Sequence, residues 1–356
     1  MADMLTLKPE NYDELALFLS GFENEVKNKD AWLDVFRLWW ESNPAFSGDI
    51  ERGWILVDGK KIVGFIGNIP SSFQLLGKKT TVFTISTWNV LPAYRAQSID
   101  LLFKTMDAAG RSILFDTTPT EAVATILGSF GFSPLPGYQN KNSLIVINHG
   151  KFLRSKLADN IIGDVLSIAL APIIKMLQFF CERQLRRRGV RNVKEVSRAD
   201  PAFDRLWERT KGLYANTNIR TAAMVQWYCF ENRVNKKWLF GCYEGGELLG
   251  YLIAGSEASG NLRMLKCFDL WLDPSQDGVL ESLVGFTARF AGQNSFDAAI
   301  FPHFTKKLGS RYNKLGMLRR RGKKIREYLK IGPECAAAIS EGDSYFVELQ
   351  GDRGMF

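Results

Sequence analysis

The stretch NVLPAYRAQSIDLLF, residues Asn89 to Phe103, contains the end of a strand, a loop and the start of a helix. The preceding run TTVFTISTW has strand-forming composition, and Pro92 ends the strand because proline has no N–H for a sheet ladder. The segment SIDLLFKTMDAAG that follows has apolar residues at helical spacing. Backbone N–H groups at a helix start bind anions, and small residues let a phosphate approach them. The stretch therefore predicts an anion-binding loop between a strand and a helix.

The same order of elements occurs again in the second half of the chain. The hairpin sequence VDGKKIVGFIG has a counterpart in YEGGELLGYLIAG, in which Gly64 matches Gly250 at a distance of 186 residues. The strand that ends near Val90 matches one that ends near Leu272, 182 residues further on. Each half closes with a helix and a glycine-hydrophobe step, namely Gly131-Phe132 and Gly316-Met317. We interpret this pattern as an internal duplication of one α/β unit.

Length and composition agree with two units. A chain of 356 residues, 46% hydrophobic and 24% charged, is typical of a soluble globular protein with two domains. We predict an α/β fold with mixed (α+β) sheets, in which two tandem units, 1–150 and 191–356, are joined by a helical linker at 151–190. The five cysteines are scattered without CxxC spacing, which argues against a disulfide framework and predicts no metal site. The N-terminus lacks a signal-peptide pattern, so we expect a cytoplasmic protein.

The stretch from Asn89 to Phe103 resembles the fourth strand, pyrophosphate loop and following helix of the GNAT superfamily of acyl-CoA-dependent N-acyltransferases. The usual loop of that family is Arg/Gln-x-x-Gly-x-Gly/Ala, and here it is RAQSID. The segment EAVATILGSFGF is similar to a later family motif that ends in Leu-Gly-Phe. Asp100 departs from the family pattern, because its charge would repel a phosphate if it pointed inward. We expect it to face outward and to favour the helix start.

The resemblance implies coenzyme A as the acyl carrier, bound to the first unit. Its pyrophosphate is expected on the loop, and the thioester carbonyl near a backbone N–H at the end of the strand. The implied residues are Asn89, Val90, Arg95, Ala96, Gln97, Ser98 and Ile99. The corresponding sequence of the second half, DPSQDGVLES, is acidic and therefore unfavourable for pyrophosphate. We expect the second unit to bind the acceptor, in a cleft between the two units.

Acyl transfer to an amine needs a group that accepts a proton and a group that stabilises an oxyanion. His303 follows the fifth strand of the second unit and is a candidate base, although it can also be a partly buried loop residue. Asp116 ends the corresponding strand of the first unit, and is either a base or part of a helix-start turn with Thr118. The resemblance also implies a tyrosine, four residues before the glycine-hydrophobe step, that protonates the departing thiolate. That residue is Tyr312 in the second half, whereas the first half has Leu127.

The segment between the units, NIIGDVLSIALAPIIKMLQFFCERQLRRRGVR, is apolar at nearly every position from Asn160 to Cys181. A membrane-spanning helix needs about 20 predominantly apolar residues. Asp164, Pro172 and Lys175 interrupt this run, so it is a poor candidate for a span. Two interpretations remain, a pair of linker helices buried against both units, or a peripheral helix in 160–188 that lies on the membrane surface. In the second case the arginines at 183 and 186–188 would contact anionic headgroups.

Three functional classes follow from these observations. The layout resembles bacterial tandem GNAT enzymes that acylate the amino group of a nucleotide-linked amino sugar in O-antigen, lipopolysaccharide or capsule biosynthesis. A second class is the aminoacyl-tRNA-dependent transferases that build peptidoglycan bridges, which also pair two GNAT-like units. The third is a non-catalytic binding protein. The net charge of +8 suits anionic partners of any of these classes. The first class predicts acyl-CoA and a nucleotide-linked amino sugar as partners, and no nucleic acid.

Overall fold

The computed structural model describes residues 1–23, 25–110, 112–135, 141–157, 161–321, 327–331, 339 and 342–347, with 161–164 and 321 described by their backbone alone. Cys335 lies outside these residues. The other cysteines are free thiols, and all four are buried. Within the described ranges, no group of three or more His, Cys, Asp or Glu residues is arranged to hold a metal ion.

Strands and helices alternate through the first half of the chain, and a long helix ends it. In chain order they are β1 (Asp3–Thr6), α1 (Tyr12–Ser20), α2 (Lys29–Phe36), β2 (Gly53–Asp58), β3 (Lys61–Leu75), β4 (Lys78–Val90), α3 (Ser98–Ala109), β5 (Leu114–Asp116), α4 (Glu121–Ser129), β6 (Ser133–Pro134), β7 (Lys141–Val146), α5 (His149–Arg154) and α6 (Ile161–Arg188).

The second half repeats much of this order. Its elements are β8 (Asn192–Val196), α7 (Pro201–Thr210), β9 (Asn216–Asn218), α8 (Ala222–Gln226), β10 (Lys237–Glu244), β11 (Glu247–Ser259), β12 (Leu262–Leu272), α9 (Val279–Gln293), β13 (Ala298–Pro302), α10 (Lys306–Lys314), β14 (Leu318–Arg321), β15 (Tyr328–Lys330) and β16 (Ser344–Tyr345).

The strands form two mixed sheets, as the predicted α/β class requires. The first sheet has the order β1-β2-β3-β4-β5-β15-β6, with β9 on β3 and β16 on β9, and the second has the order β14-β7-β13-β12-β11-β10-β8. In each sheet the long central strand has a parallel neighbour, β5 beside β4 and β13 beside β12. The matched residues of the sequence are also cross-strand partners. Gly64 pairs with Val90 in the first sheet, and Gly250 pairs with Leu272 in the second.

The two sheets exchange strands. Strand β7, which lies inside the range 1–150 predicted for the first unit, pairs with β13 and β14 of the second sheet. Strand β15, which lies inside the range 191–356, pairs with β5 and β6 of the first sheet. A boundary at residue 150 therefore does not separate the two sheets. The second sheet contains β7 from the first half of the sequence, and the first sheet contains β9, β15 and β16 from the second half.

Both glycine-hydrophobe steps end a helix in the same way. Gly131 follows α4 with φ 83°, and Gly316 follows α10 with φ 77°, a backbone conformation that favours glycine. The next N–H turns back to the helix, where Phe132 donates to the carbonyl of Leu127 at 3.1 Å. Met317 donates to the carbonyl of Tyr312 at 3.2 Å in the same pattern. The repeated sequence step is thus a repeated helix stop of the Schellman type.

The two halves also share a hydrophobic core. The indole N–H of Trp227 donates to the carbonyl of Leu38 at 2.7 Å, which ties the helical segment after α8 to the one after α2. The side-chain amide of Gln74 in β3 donates to the carbonyls of Lys211 and Tyr214 at 2.8 and 2.7 Å. These buried or half-buried polar contacts fix the orientation of the halves, because each would leave an unsatisfied group if the halves moved apart.

The predicted linker forms α5 and α6, and α6 is a single helix of 28 residues with Pro172 inside it. The interpretation as a pair of buried helices is therefore wrong. The helix contacts α5 and α9, but only 17% of its apolar part is buried. Of the helices in the described residues, this is the one that is long and apolar enough, from Val165 to Arg188, to cross a membrane.

Candidate functional site

Strands β4 and β5 pair for three residues and then separate. Phe83, Thr84 and Ile85 pair with Leu114, Phe115 and Asp116, after which β5 ends and β4 continues to Val90. At this point β4 contains a bulge, because Phe65 of β3 pairs with Asn89 while Gly67 pairs with Ser86. The bulge includes Thr87, which has φ 54°. A β-branched residue in this conformation is strained by about 1–2 kcal/mol, and such strain concentrates at functional sites.

The separation opens a cavity of about 360 Å³, called here the β4–β5 cleft. Its walls are residues 85–89 of β4 on one side and Asp116, residues 118–120 and Val123 on the other. Glu25, Lys27 and Trp32, from the chain before α2 and from α2 itself, also line it. The structure thus brings together two residues singled out from sequence, Asn89 and Asp116. The contributions of Glu25, Lys27 and Trp32 were missed, because no motif marks that segment.

The β4–β5 cleft contains two carboxylates, an ammonium group and an indole donor. Asp116 is buried, and its Oδ1 accepts a hydrogen bond from the backbone N–H of Thr118 at 3.2 Å. Lys27 lies 3.1 Å from the carboxylate of Glu25, and its Nζ is 4.8 Å from the centre of the Trp32 ring. The indole N–H of Trp88 is buried without a hydrogen-bond partner among the described residues. A buried unsatisfied donor is costly, and this one belongs to a residue that lines the cleft.

The predicted pyrophosphate loop is a turn of 3₁₀ helix, Pro92–Gln97, that runs directly into α3. The N–H of Ser98 donates to the carbonyl of Arg95 and is therefore occupied. The side-chain amide of Gln97 binds both backbone groups of Ala2, at 3.0 and 2.8 Å. Arg95 and Ala96 are exposed, Ile99 is half-buried, and Asp100 faces solvent as expected. The N–H of Ser98 and the side chain of Gln97 are thus already used within the protein, whereas the Arg95 side chain is exposed.

In the second sheet the equivalent space is filled by side chains. Strand β12 pairs with β13 from Met264 to Lys266 and then continues to Leu272, as β4 does. Tyr345 of β16 occupies the gap, where its phenol donates to the carbonyl of Leu270 and its ring packs edge-on against Trp271 at 5.5 Å. A void of about 220 Å³ remains. The second sheet has the strand geometry of a cleft, but its own C-terminal segment closes that cleft.

A buried ion pair supports this closure. The guanidinium of Arg220 binds the carboxylate of Asp269 through two hydrogen bonds of 2.9 and 3.2 Å, and Tyr251 donates to the same carboxylate at 3.0 Å. Arg220 also lies over the ring of Trp271, 4.1 Å from its centre. A buried charge pair of this kind is costly to break, because removal of one partner leaves the other uncompensated.

The start of α9, which corresponds to the loop before α3, is covered by the end of the linker. A Cβ on Gly278 would lie 2.7 Å from the carbonyl oxygen of Arg188. The N–H of Arg191 donates to Ser282 Oγ at 3.1 Å, and its Nε donates to the carbonyl of Asp277 at 2.6 Å. A surface groove of about 1060 Å³ lies beside this contact, but its walls contain both basic and acidic side chains. The groove therefore has no net preference for an anion.

His303 and Tyr312 do not line the β4–β5 cleft. His303 is 5% exposed, and its Nε2 lies 2.9 Å from Ser143 Oγ. Burial, with a smaller effect of Lys141, lowers the pKa of His303 to about 4, so its ring is neutral at pH 7. Tyr312 is fully buried against His303, and its phenol has no hydrogen-bond partner among the described residues. Burial raises the pKa of this phenol. Tyr312 is thus enclosed and is not among the residues that line the β4–β5 cleft.

His303 instead lines a separate basic cavity of about 530 Å³, called here the His303 cavity. Its charged side chains are Lys141, Lys306, Arg319 and Arg320. No carboxylate is among the described residues that line it. Gly309 leaves room for the imidazole, because a Cβ at that position would lie 2.4 Å from His303 Nδ1. The four basic side chains among its described lining residues make this cavity favourable for an anion.

Comparison with known proteins supports the fold. No family model and no curated protein sequence matches the chain. Among solved structures, a GCN5-related N-acetyltransferase from Anabaena variabilis matches with a TM-score of 0.59 and 13% identity, over 93% of this chain and 73% of that one. A protein from Enterococcus faecalis described as a probable N-acyltransferase has a TM-score of 0.58 and 11% identity, over 93% and 73%.

The N-myristoyltransferase of Saccharomyces cerevisiae with bound myristoyl-CoA is also similar. Its TM-score is 0.55 and its identity 12%, over 97% of this chain and 89% of that one. The chain therefore has the fold of GNAT-type N-acyltransferases across nearly its whole length. At 11–13% identity the similarity establishes the fold, and the chemistry must be argued from the residues.

Proposed function

We propose that this protein transfers an acyl group from acyl-CoA to an amine, and that the reaction takes place in the β4–β5 cleft. The observation that carries the proposal is the separation of β4 from β5 beside the strained bulge at Thr87, with Asp116 on the opposite wall. The fold shared with N-acyltransferases supports the same reaction class. The filled space around Tyr345 in the second sheet favours the first sheet for the thioester.

The chemistry requires few groups. The nitrogen of the acceptor forms a bond to the thioester carbonyl carbon, and the carbon–sulfur bond then breaks. We assign stabilisation of the oxyanion to backbone N–H groups at the bulge from Thr87 to Asn89. The neutral amine attacks, so its nitrogen becomes positively charged once the new bond has formed. That nitrogen then passes a proton to the carboxylate of Asp116, directly or through water, and the departing thiolate takes a proton from solvent. Coenzyme A would be held by Asn89, Val90 and the 95–99 turn, with Arg95 as the phosphate contact.

The acceptor that we propose is the amino group of a nucleotide-linked amino sugar. Support comes from the His303 cavity, whose basic lining residues suit the diphosphate of such a substrate. In this proposal the diphosphate contacts these residues while the sugar amine reaches toward Asp116.

His303 has an orienting role in this proposal. Its pKa of about 4 makes it a weak base at neutral pH, but its neutral ring can hydrogen-bond a sugar hydroxyl or a phosphate. Asp116 is therefore our preferred proton acceptor. The role of Tyr312 as an acid stays a prediction of the family resemblance, and we do not use it in the mechanism because its phenol is enclosed.

The test is an assay of thiol release from a panel of acyl-CoAs, with and without nucleotide-linked amino sugars. Asp116→Asn is expected to lower kcat by about 10²–10⁴-fold with the acyl-CoA KM nearly unchanged, which is the usual range for loss of a general base. Asp107→Asn on the exposed side of α3 is the matched control and should behave as the parent. Absence of thiol release with every acyl-CoA, despite measurable binding of coenzyme A, would contradict catalysis.

The second candidate is a binding protein that holds coenzyme A but does not transfer an acyl group from it. The specific observation in its favour is the loop before α3, in which the N–H of Ser98 and the side chain of Gln97 are already occupied. Calorimetric titration with coenzyme A, read together with the thiol-release assay, separates the candidates, because a binding protein binds the ligand without releasing thiol from its acyl form. The peptidoglycan-bridge alternative predicts turnover with aminoacyl-tRNA in place of acyl-CoA.

A further inference from the structure

Helix α6 exposes apolar side chains over most of its length. Between Val165 and Phe180 the sequence has one charged residue, Lys175. Six of the apolar side chains are each more than half exposed, namely Val165, Ile168, Met176, Leu177, Phe179 and Phe180. Soluble proteins rarely expose contiguous apolar patches of this kind unless the patch binds something.

The face of α6 that contacts the protein is the more polar one. Gln178 is buried, and its side-chain amide donates to the carbonyl of Val146 at 2.9 Å and accepts from its N–H at 2.6 Å. Ser167 lies on the same buried face, which continues through Cys181 and Leu185. An amphipathic helix of a water-soluble protein normally turns its apolar face inward. Here the arrangement is reversed.

The reversal cannot be relieved by rotation of the helix. Gln178 satisfies both backbone groups of Val146, which lies at the end of β7 inside the second sheet. A rotation that buried Phe179 would remove both hydrogen bonds and leave buried backbone groups unsatisfied, at a cost of about 1–3 kcal/mol each. The apolar face is thus held outward by the same contacts that hold the helix in place.

Basic side chains follow the apolar face directly. Arg183, Arg186, Arg187 and Arg188 are exposed within the last two turns of α6. Arg186 lies 3.5 Å from Glu182, and that glutamate is the single acidic residue between Val165 and Arg188. A helix with an exposed apolar face and a cluster of arginines beside it matches a bilayer surface, where acyl chains accept the first and anionic headgroups accept the second.

We propose that α6 docks the protein on a membrane surface that contains anionic lipid. The helix lies in the plane of the surface, with the face from Val165 to Phe180 in the acyl-chain boundary and the arginines among the headgroups. This apolar segment is about 24 Å long, and Gln178 and Cys181 stay on the second sheet, so the helix does not cross the bilayer. The proposal is independent of the acyl transfer proposed above.

The test is co-sedimentation of the full chain with vesicles of phosphatidylcholine alone and of phosphatidylcholine mixed with phosphatidylserine. The parent is expected to bind the mixed vesicles more strongly and to lose that advantage at high salt. The double variant Ile168→Ser, Phe179→Ser should lower the partition coefficient on both vesicles by about 10²-fold. The double variant Arg186→Gln, Arg187→Gln should lower it by roughly 30-fold on the mixed vesicles and leave the neutral vesicles unchanged.

A matched control replaces apolar side chains of similar exposure elsewhere. Leu5→Ser, Leu17→Ser on β1 and α1 should bind both vesicles as the parent does, because these residues are also at least half exposed but lie outside α6. Thermal unfolding of all variants should match the parent, since each replaced side chain points to solvent. An alkaline carbonate wash is expected to release the bound parent, as it does peripheral proteins.

Three results would overturn the proposal. The first is a parent that binds neither kind of vesicle. The second is a change of oligomeric state without vesicle binding: light scattering finds a dimer for the parent and a monomer for the Ile168→Ser, Phe179→Ser variant, and neither binds vesicles. In that case the apolar face would contact a second copy of the chain. The third is bound protein that carbonate does not release, which would indicate a spanning helix.

Discussion

The phenol of Tyr345 donates a hydrogen bond to the backbone carbonyl of Leu270, in the gap where β12 leaves β13. The corresponding gap between β4 and β5 contains the β4–β5 cleft. The two halves of the chain therefore have the same strand divergence, and in the second half the gap is filled by side chains that include Tyr345. We expect this side chain to be a stability residue of the second half.

Two substitutions of Tyr345 should separate the contribution of its hydrogen bond to stability from the contribution of its packing. Tyr345→Ala leaves a cavity beside Trp271 and should lower the free energy of unfolding by about 3–5 kcal/mol. Tyr345→Phe keeps the ring and should cost about 1–3 kcal/mol, because the carbonyl of Leu270 loses its partner. Chemical denaturation measures both. Tyr94→Phe, whose phenol contacts Asp58 at the surface, is the control and should stay within about 0.5 kcal/mol of the parent.

The bulge at Thr87 predicts an unusual response to glycine. A glycine in a strand normally weakens it by about 0.5–1 kcal/mol. At Thr87 the φ of 54° offsets that cost, because glycine adopts this conformation without strain. Thr87→Gly should therefore be about 1–2 kcal/mol more stable than Thr81→Gly in the regular part of the same strand. Equal losses in the two variants would mean that Thr87 is not strained.

Burial of His303 predicts a loss of stability in acid. Its folded pKa is about 4, whereas an unfolded histidine has a pKa of about 6.5. Between these values the unfolded chain binds the proton more readily, so this contribution to stability is present above pH 6.5 and is lost as the pH falls toward 4. The parent should lose about 2–3 kcal/mol more than His303→Gln between pH 7 and pH 4. If the free energy of unfolding changes with pH in the same way in both proteins, the pKa of His303 is not lowered in the folded protein.

The exchanged strands predict that the halves do not fold separately. A fragment of residues 1–150 lacks β15, which joins β5 to β6, and a fragment of residues 151–356 lacks β7, which joins β13 to β14. Neither fragment alone should unfold cooperatively in denaturant or catalyse thiol release, whereas co-expressed fragments should associate and regain a single transition. Cooperative unfolding of the 1–150 fragment by itself would show that β15 is dispensable.

Local sequence patterns were enough to predict the fold class. They did not predict which strands pair when the partners are far apart in the sequence. The glycine turns and the strand ends predicted that Gly64 corresponds to Gly250 and Val90 to Leu272. In the structure Gly64 pairs with Val90 and Gly250 with Leu272, so the corresponding residues have equivalent places in the two sheets. The destination of β7 could not be predicted in this way. Its sequence KNSLIV predicts a strand but does not indicate which sheet the strand joins. Its partners in β13 lie more than 150 residues away in the sequence.

The candidate site was predictable in part for the same reason. Asn89 and Asp116 stand at the ends of neighbouring strands, so strand order is enough to bring them to one cleft. Glu25 and Lys27 come from the chain between α1 and α2, where polar composition does not distinguish a cavity wall from any other surface. Apolar composition also misled us at α6. It indicates that a helix prefers an apolar environment, but it does not say whether the protein supplies that environment.

Because β15 lies late in the sequence, the first sheet cannot be completed until most of the chain has been synthesised. After β6 has been synthesised, 194 residues must follow before Tyr328 is available to pair with it. At about 5–20 residues per second, the nascent chain waits about 10–40 s with the edge of β5 unpaired. An open strand edge next to apolar side chains invites aggregation. Expression of this protein is therefore expected to depend on translation speed and on chaperones that shield strand edges.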